Sequence, residues 1–401
     1  MIFIYYIFAV LLIYMSYKSY RGGVSYLEYF RSELLKPLPS FTPFVTVIVP
    51  CKGLEDGLED NLKMLFEQDY PAYEIIAVVD DEKDPAVTVL RTVSGGRGDS
   101  KRQMKMVIAK RSTDSSQKVE NLREAVLQAS DESQVFVFVD SDTRPKPAWL
   151  GYLVAPLEDK NIGAATGYRW FISEQPTLGS EMRSVWNASI ASALGPNRKK
   201  NFCWGGSMAI RRETFERIDM REKWRGTLSD DFAVTRAMRR AGLEIYFVPQ
   251  ALTASVGNFS HRDTIEFTNR QMKITRVNAP DLWRLSFFGS AMFNAVMISS
   301  ISILLFSQKV DLKTLIALFV LIAVTIFSTF KSWLRLKAVE SVLAEEWPQV
   351  EKQRLSQNTL WLLSPAIFLI NCITATFSRK MTWRGIRYEL KSPNETVIIT
   401  D

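Results

Sequence analysis

Two hydrophobic textures alternate along the chain. Residues 1–17, 285–306, 315–330 and 360–377 carry no charge at all. A bilayer core of about 30 Å takes roughly 20 such residues in a helix. These four stretches therefore predict membrane helices and leave the middle of the chain as the soluble part. There, short β-branched runs alternate with helical spacing. FVTVIVP (44–50) reads as a strand closed by proline, LEDNLKMLFEQ (58–68) as a helix, and YEIIAVVDD (73–81) as a strand ending in acid. After a loop at 94–103 come the strand KMVIA, the amphipathic helix QKVENLREAVLQA (117–129) and the strand VFVFV (135–139). Continuous apolar strands separated by helices predict an α/β fold with a mostly parallel sheet covered on both faces. Ligands of such sheets bind beyond the carboxyl ends of the strands, where residues 50–53, Asp80-Asp81 and Asp140-Ser141-Asp142 all fall.

Flanking charge sets the expected orientation. Lys18 and Arg21 come after the first apolar run instead of preceding it, so residues 1–20 read as an uncleaved anchor and not as a signal peptide. The positive-inside rule then puts the chain beyond this anchor in the cytoplasm, in agreement with Arg276, Arg284, Lys331, Arg335 and Lys337. SQKVD (307–311) becomes the outer turn of a hairpin. A third crossing would put the basic stretch RKMTWRGIRYELK (379–391) outside. Ser364-Pro365 and Asn371 interrupt the last apolar stretch, so it is read as re-entrant or partly inserted and the tail as cytoplasmic. The expected plan is an anchor (1–20), a linker (21–40), a catalytic domain (41–283), a membrane region with an interfacial helix (284–378) and a basic tail (379–401). This describes a multi-pass protein of the inner membrane. Residues 170–195, rich in Trp and aliphatic side chains, read either as an interfacial helix against an apolar acceptor or as ordinary core.

With 47% apolar and 23% charged residues the 401-residue chain has a globular composition, and its net charge of +7 suits an anionic inner leaflet. No nucleic-acid recognition motif accompanies that charge. Cys51, Cys203 and Cys372 are scattered and indicate neither a disulfide framework nor a zinc site. The Arg-Gly-Asp at 97–99 sits in a Gly/Ser/Arg-rich loop and reads as coincidence.

The candidate chemistry is acidic. Asp140 and Asp142, one residue apart at a strand end, point to the same side of the backbone. They suit a hard cation such as Mg2+ or Mn2+ bridged to a diphosphate; a plain Asp-capped turn would look the same. In GTLSDDFAVTRAMRRAG (226–242) a helix starts at Ser229 or Asp230. Asp230 and Asp231 either serve as a cap favoured by the helix dipole or supply a general base. Gly205-Gly206 permits close backbone approach to a ligand. The amphipathic helix TIEFTNRQMKITRV (264–277) groups Arg270, Lys273 and Arg276, either for a departing diphosphate or as a membrane-facing basic stripe.

In this order the acidic strand end, the second carboxylate pair and the basic helix resemble family 2-type inverting glycosyltransferases with a GT-A fold. Residues 50–86 (PCKGLEDGLEDNLKMLFEQDYPAYEIIAVVDDEKDPA) look like the ceramide glucosyltransferase branch, family 21, as do KVENL (118–122), VDSD and the tail TWRGIRYEL (382–390). The likeness spans almost the whole chain. It implies that Asp81 and Asp84 hold the uridine end of a UDP-sugar with help from Lys118. It also implies that Asp140 and Asp142 form the metal–diphosphate motif, with Asp142 the direct ligand, and that Asp231 deprotonates the acceptor hydroxyl. Lys52 and Trp383, within the matching motifs, join the expected substrate-binding residues. The last motif departs from the Gln/Arg-x-x-Arg-Trp pattern and reads Lys273-Ile274-Thr275-Arg276-Val277. Lysine lacks the planar fork of arginine, and the missing aromatic weighs against a growing sugar chain. The implied activity is transfer of one sugar, a hexose such as glucose, to a lipid hydroxyl such as that of ceramide, with inversion. A processive polysaccharide synthase and a non-catalytic nucleotide-binding membrane protein are the alternatives. Nothing in the sequence speaks to oligomeric state.

Overall fold

The computed structural model describes residues 2–37, 40–95 and 104–399; the Arg-Gly-Asp at 97–99 and most of the loop expected at 94–103 lie outside them. The chain divides into two compact units: residues 32–174, 193–257 and 379–401 in a sheet unit, and residues 1–31, 175–192 and 258–378 in a helical unit.

Strands β1 (Val45–Pro50), β2 (Tyr73–Val79), β3 (Met104–Ile108), β4 (Val135–Val139), β5 (Ile162–Ile172), β6 (Ser207–Arg211) and β7 (Glu244–Val256) form one sheet. Their order is β3-β2-β1-β4-β6-β5-β7. Neighbours are parallel except around β6, which runs antiparallel to both β4 and β5. The helices are α1 (Ile2–Leu34), α2 (Leu58–Phe66), α3 (Ala86–Gly95), α4 (Gln117–Ala125), α5 (Trp149–Val154), α6 (Leu178–Ala191), α7 (Arg212–Arg217), α8 (Met220–Trp224) and α9 (Asp230–Arg240).

The two-residue period of the strands distributes their side chains to two buried faces. Val45, Val47, Val49, Ile75, Ala77, Val135 and Val137 pack with Leu62, Leu65 and Leu90 of α2 and α3. Ile48, Ile76, Val78, Phe136 and Phe138 pack with Val119 and Leu122 of α4, Trp224 of α8 and Val234 of α9. Both faces are covered, which is why the strands read as unbroken apolar runs.

The basic tail is folded. Strands β8 (Lys380–Trp383), β9 (Ile386–Ser392) and β10 (Glu395–Ile398) form an antiparallel sheet within the sheet unit. Tyr388 is buried, and its hydroxyl accepts a hydrogen bond from the Gln117 N–H at 3.1 Å. Arg236 of α9 donates to Pro393 O (3.2 Å) and Asn394 Oδ1 (3.1 Å). Gly226, at φ +77°, lies so close that a Cβ would fall 2.2 Å from Asn394 O; only glycine fits both demands.

The helical unit contains most of α1, together with α6, α10 (His261–Asn278), α11 (Pro280–Phe306), α12 (Leu312–Glu340), α13 (Trp347–Lys352), α14 (Arg354–Thr359) and α15 (Ser364–Phe377). Among the described residues α1, α11 and α12 are long and apolar enough to cross a membrane, and α14 with its 3-10 extension meets α15 at 57°. Two expectations change. Residues 21–34, read as linker, continue α1 without a break. Of residues 170–195, read either as an interfacial helix or as ordinary core, 170–172 finish β5 as buried core, and helix begins only at Leu178.

Candidate active site

Three segments far apart in sequence meet at the carboxyl end of β4. Lys118, in the first turn of α4, reaches Asp140 Oδ1 at 2.7 Å and Asp230 Oδ1 at 3.2 Å. It thereby ties the end of β4 to the start of α9. Gly205-Gly206 lines the same place. A Cβ on Gly205 would fall 1.9 Å from Asp230 Oδ2, and one on Gly206 2.7 Å from Asp140 Oδ2. The glycines are therefore needed where backbone crowds carboxylates. Ser229 takes the N-cap position of α9, and its hydroxyl donates to Asp231 Oδ1, which also accepts the Phe232 N–H at 2.7 Å. Asp142 pairs with Arg169 of β5 at 3.4 Å.

One cation between two carboxylates divides its effect unevenly. Burial works against charge on Lys118, but Asp140 and then Asp230 raise its ammonium above the ordinary value. Burial likewise opposes ionisation of Asp140, yet Lys118 and Arg169 hold its carboxyl below the usual range. Asp230 is left on the other side of the balance: burial lifts it to about 6 from an ordinary 3.8, against the pull of Lys118. Its Oδ2 is buried and accepts no hydrogen bond. A folded-state value above the unfolded one gives stability that is complete below about pH 3.8 and is lost as pH rises through about 6. Asp230→Asn should remove that loss. Denaturant midpoints of the variant relative to the parent should rise between those two pH values, and a constant difference across that window would contradict the assignment.

A second acidic group gathers at the ends of β1 and β2. Lys52 Nζ holds both oxygens of buried Asp80 at 2.8 and 2.9 Å. Asp84 accepts the N–H of Gly53 (2.9 and 3.1 Å) and of Ala86 (2.9 Å), so it fixes the β1–α2 loop and the start of α3. Asp81 pairs with the exposed Arg111 at 2.8 Å. The Lys83 N–H and then Arg111 hold its carboxyl below the usual value. Burial pushes the Cys51 thiol up to about 12, which makes it inert near neutral pH; Cys203 and Cys372 are also buried and free.

Arg384 was not among the candidate residues. It sits beside Trp383 at the β8–β9 turn in the left-handed region (φ 51°), and its guanidinium meets the Glu55 carboxylate. The other Glu55 oxygen accepts the Ser141 hydroxyl, and Asn61 Nδ2 donates to Ser141 O at 3.0 Å. The tail thus reaches the Asp-Ser-Asp turn through Glu55. Lys273 and Arg276 belong to α10 of the helical unit. Burial lowers the Lys273 ammonium. Arg276 Nη1 donates to the last carbonyls of α15, at Ala375 and, at 2.9 Å, Thr376.

Among the described residues no three His, Cys, Asp or Glu side chains are grouped to hold a metal ion by themselves. Asp140 and Asp142 offer only hard carboxylate oxygens from one strand end. Such a donor set fits Mg2+ or Mn2+ when substrate phosphates complete the coordination.

A mostly parallel α/β sheet with an acidic cluster at its carboxyl edge places the sheet unit in the GT-A class of fold. The chain belongs to glycosyl transferase family 21, whose family model matches residues 4–396. A ceramide glucosyltransferase of Komagataella phaffii is 35% identical over 71 residues, covering 18% of this chain and 14% of the relative. One of Gibberella zeae is 42% identical over 78 residues, covering 18% of this chain and 15% of the relative. The match thus covers only a small part of these relatives' own length. Among solved structures, a mannosyltransferase from Pyrobaculum calidifontis in complex with GDP-Man and Mn2+ is similar at 17% identity and TM-score 0.47, covering 92% of this chain and 99% of that one.

Proposed function

We propose that this chain is a membrane-bound, metal-dependent inverting glycosyltransferase that moves one hexose from a UDP-sugar to a lipid hydroxyl. One observation carries the reading: Lys118 joins Asp140 of the Asp-Ser-Asp turn to Asp230 of the Ser-Asp-Asp helix start, beside Gly205-Gly206. That contact supports a reading in which donor-side and base-side carboxylates share one cleft.

Asp231 is the base. Ser229 and its neighbouring amide hold one of its oxygens, which orients the carboxylate to take the acceptor's proton with the other. The acceptor oxygen then attacks the anomeric carbon as the sugar–phosphate bond breaks, and the diphosphate leaves with its electron pair. Beside that base, the charge that Asp230 carries above about pH 6 faces the Lys118 ammonium at 3.2 Å. Asp142 and Asp140 would hold Mg2+ or Mn2+, whose charge neutralises the diphosphate. Lys52, Asp81 and Asp84 are assigned to the nucleotide end, where the Gly53 amide and Arg111 are held in place. Lys118, Gly205 and Gly206 are assigned to the donor side of this cleft, and Trp383, next to the Arg384 that meets Glu55, is assigned to substrate binding.

The tail strands pack within the sheet unit, so tail and sheet lie on one side of the bilayer. The chain between residues 257 and 379 must therefore cross an even number of times. Helices α11 and α12 supply two crossings, which supports a re-entrant α14–α15 pair and, with the basic flanks, a cytoplasmic sheet unit. The test is incubation of membranes containing the protein with UDP-sugars and a lipid panel, read by mass spectrometry. A glycolipid bearing a single hexose is expected. A polymeric product would favour the polysaccharide synthase instead.

A further inference from the structure

Helices α1 and α12 run parallel and in register at the end of their apolar segments. Ala9 and Leu12 pack with Val320 and Val324. The Phe327 ring lies 5.7 Å from that of Tyr17 and 5.9 Å from that of Tyr20. Lys331 Nζ donates to Ser19 Oγ at 2.8 Å. The charge-free stretch of α1 ends at Tyr17 and that of α12 at Phe330, so Lys331 sits at the apolar–polar boundary of both helices. Room for it is built in. A Cβ on Gly23 would stand 3.2 Å from Lys331 Cγ.

One turn further, Arg335 is 4% exposed. Its Nη2 donates to Ser332 Oγ at 2.9 Å and to Gln357 Oε1 of α14 at 3.2 Å, while its Nε is buried with no hydrogen-bond partner. The partners of both cations are neutral oxygens, and Arg335 is the charged neighbour of Lys331. Two like charges at i and i+4 repel each other. A largely dehydrated cation without a counter-ion is costly, and inside a membrane domain it marks a site for something else. Phosphates of lipid headgroups lie at this boundary depth, and basic pockets between membrane helices take anionic headgroups. An arginine edge and an ammonium together match phosphate oxygens.

Resting on the reading of α1 and α12 as membrane helices, we infer that Lys331 and Arg335 form a binding site for the phosphate of an anionic lipid headgroup between α1, α12 and α14. Its residues belong to the helical unit, whereas the proposed catalytic carboxylates belong to the sheet unit, and it needs no sugar transfer to be observed.

The full-length protein in neutral, phosphate-free detergent is melted with phosphatidylglycerol, phosphatidylcholine or inorganic phosphate, and retained lipid is read by native mass spectrometry. Phosphatidylglycerol should raise Tm by several degrees and remain bound, while phosphatidylcholine and inorganic phosphate should do neither. Lys331→Gln with Arg335→Gln should abolish both effects, and Arg262→Gln on the exposed start of α10 should preserve them. If the double variant fails to fold, Lys331→Gln alone should weaken retention of phosphatidylglycerol. Equal shifts with phosphatidylcholine, equal shifts with inorganic phosphate, or undiminished retention in the Lys331 variants would each overturn the assignment. Failure of sugar transfer in the same preparation would leave this result standing, so the two readings fail separately.

Discussion

Asp231→Asn is expected to slow sugar transfer by about 10²–10⁴-fold, the contribution of a positioned general base, with little change in Tm. The carboxamide keeps the size of the side chain, and its oxygen can still accept the Phe232 N–H that Asp231 Oδ1 now takes at 2.7 Å. What is lost is the capacity to accept the acceptor's proton. KM for the UDP-sugar should stay near that of the parent, because Asp231 is assigned to the acceptor side. Initial rates with varied donor separate the two effects. A full rate in the variant would remove Asp231 from the base position, and a large rise in donor KM with unchanged kcat would move it to the nucleotide.

Lys118→Met should cost more in stability than any other single change in the cleft. The ammonium is the cation shared by Asp140 and Asp230, whose side chains are 22% and 4% exposed. Removing one partner of a buried ion pair costs about 3–5 kcal/mol, because charge is stranded away from water. The carboxylates left behind set the sign with pH. Without Lys118 they hold their protons to higher pH, so the penalty at neutral pH should shrink as the solution is acidified. Denaturant midpoints of variant and parent at pH 5 and pH 7.5 test this. A penalty independent of pH would point to lost packing rather than lost charge. Transfer should fall as well, since the link between β4 and α9 is gone.

Much of this arrangement was legible in the chain, and the exceptions have physical causes. Strands β1, β2 and β4 are buried on both faces, so their β-branched runs stand out, and the acids that end them fall at the ligand edge of a parallel sheet. Helices α4, α9 and α10 announce themselves by amphipathic spacing. The antiparallel insertion of β6 between β4 and β5 is not signalled, because nothing local in SMAIR specifies direction. The tail sheet hides behind its charge. Alternation of buried Tyr388 and Leu390 with Arg387 and Glu389 was available as a strand signal, and the paired positive φ of Arg384 and Gly385 is a hairpin turn written with an unusual residue. The Asp-Ser-Asp and Ser-Asp-Asp motifs were visible, but their joining through Lys118 is tertiary. Arg169 and the Arg384–Glu55–Ser141 chain belong to the same class: each partner is ordinary in sequence, and only folding brings them together.

Calorimetric titration of UDP into the purified protein tests the central claim most directly, which is that one cleft binds a nucleotide diphosphate through a divalent ion held by Asp142. With Mn2+ present, binding should be clear. It should vanish with chelator or with Asp142→Asn, and persist in Asp231→Asn. Binding of equal strength with chelator, or undiminished binding by Asp142→Asn, would contradict the account.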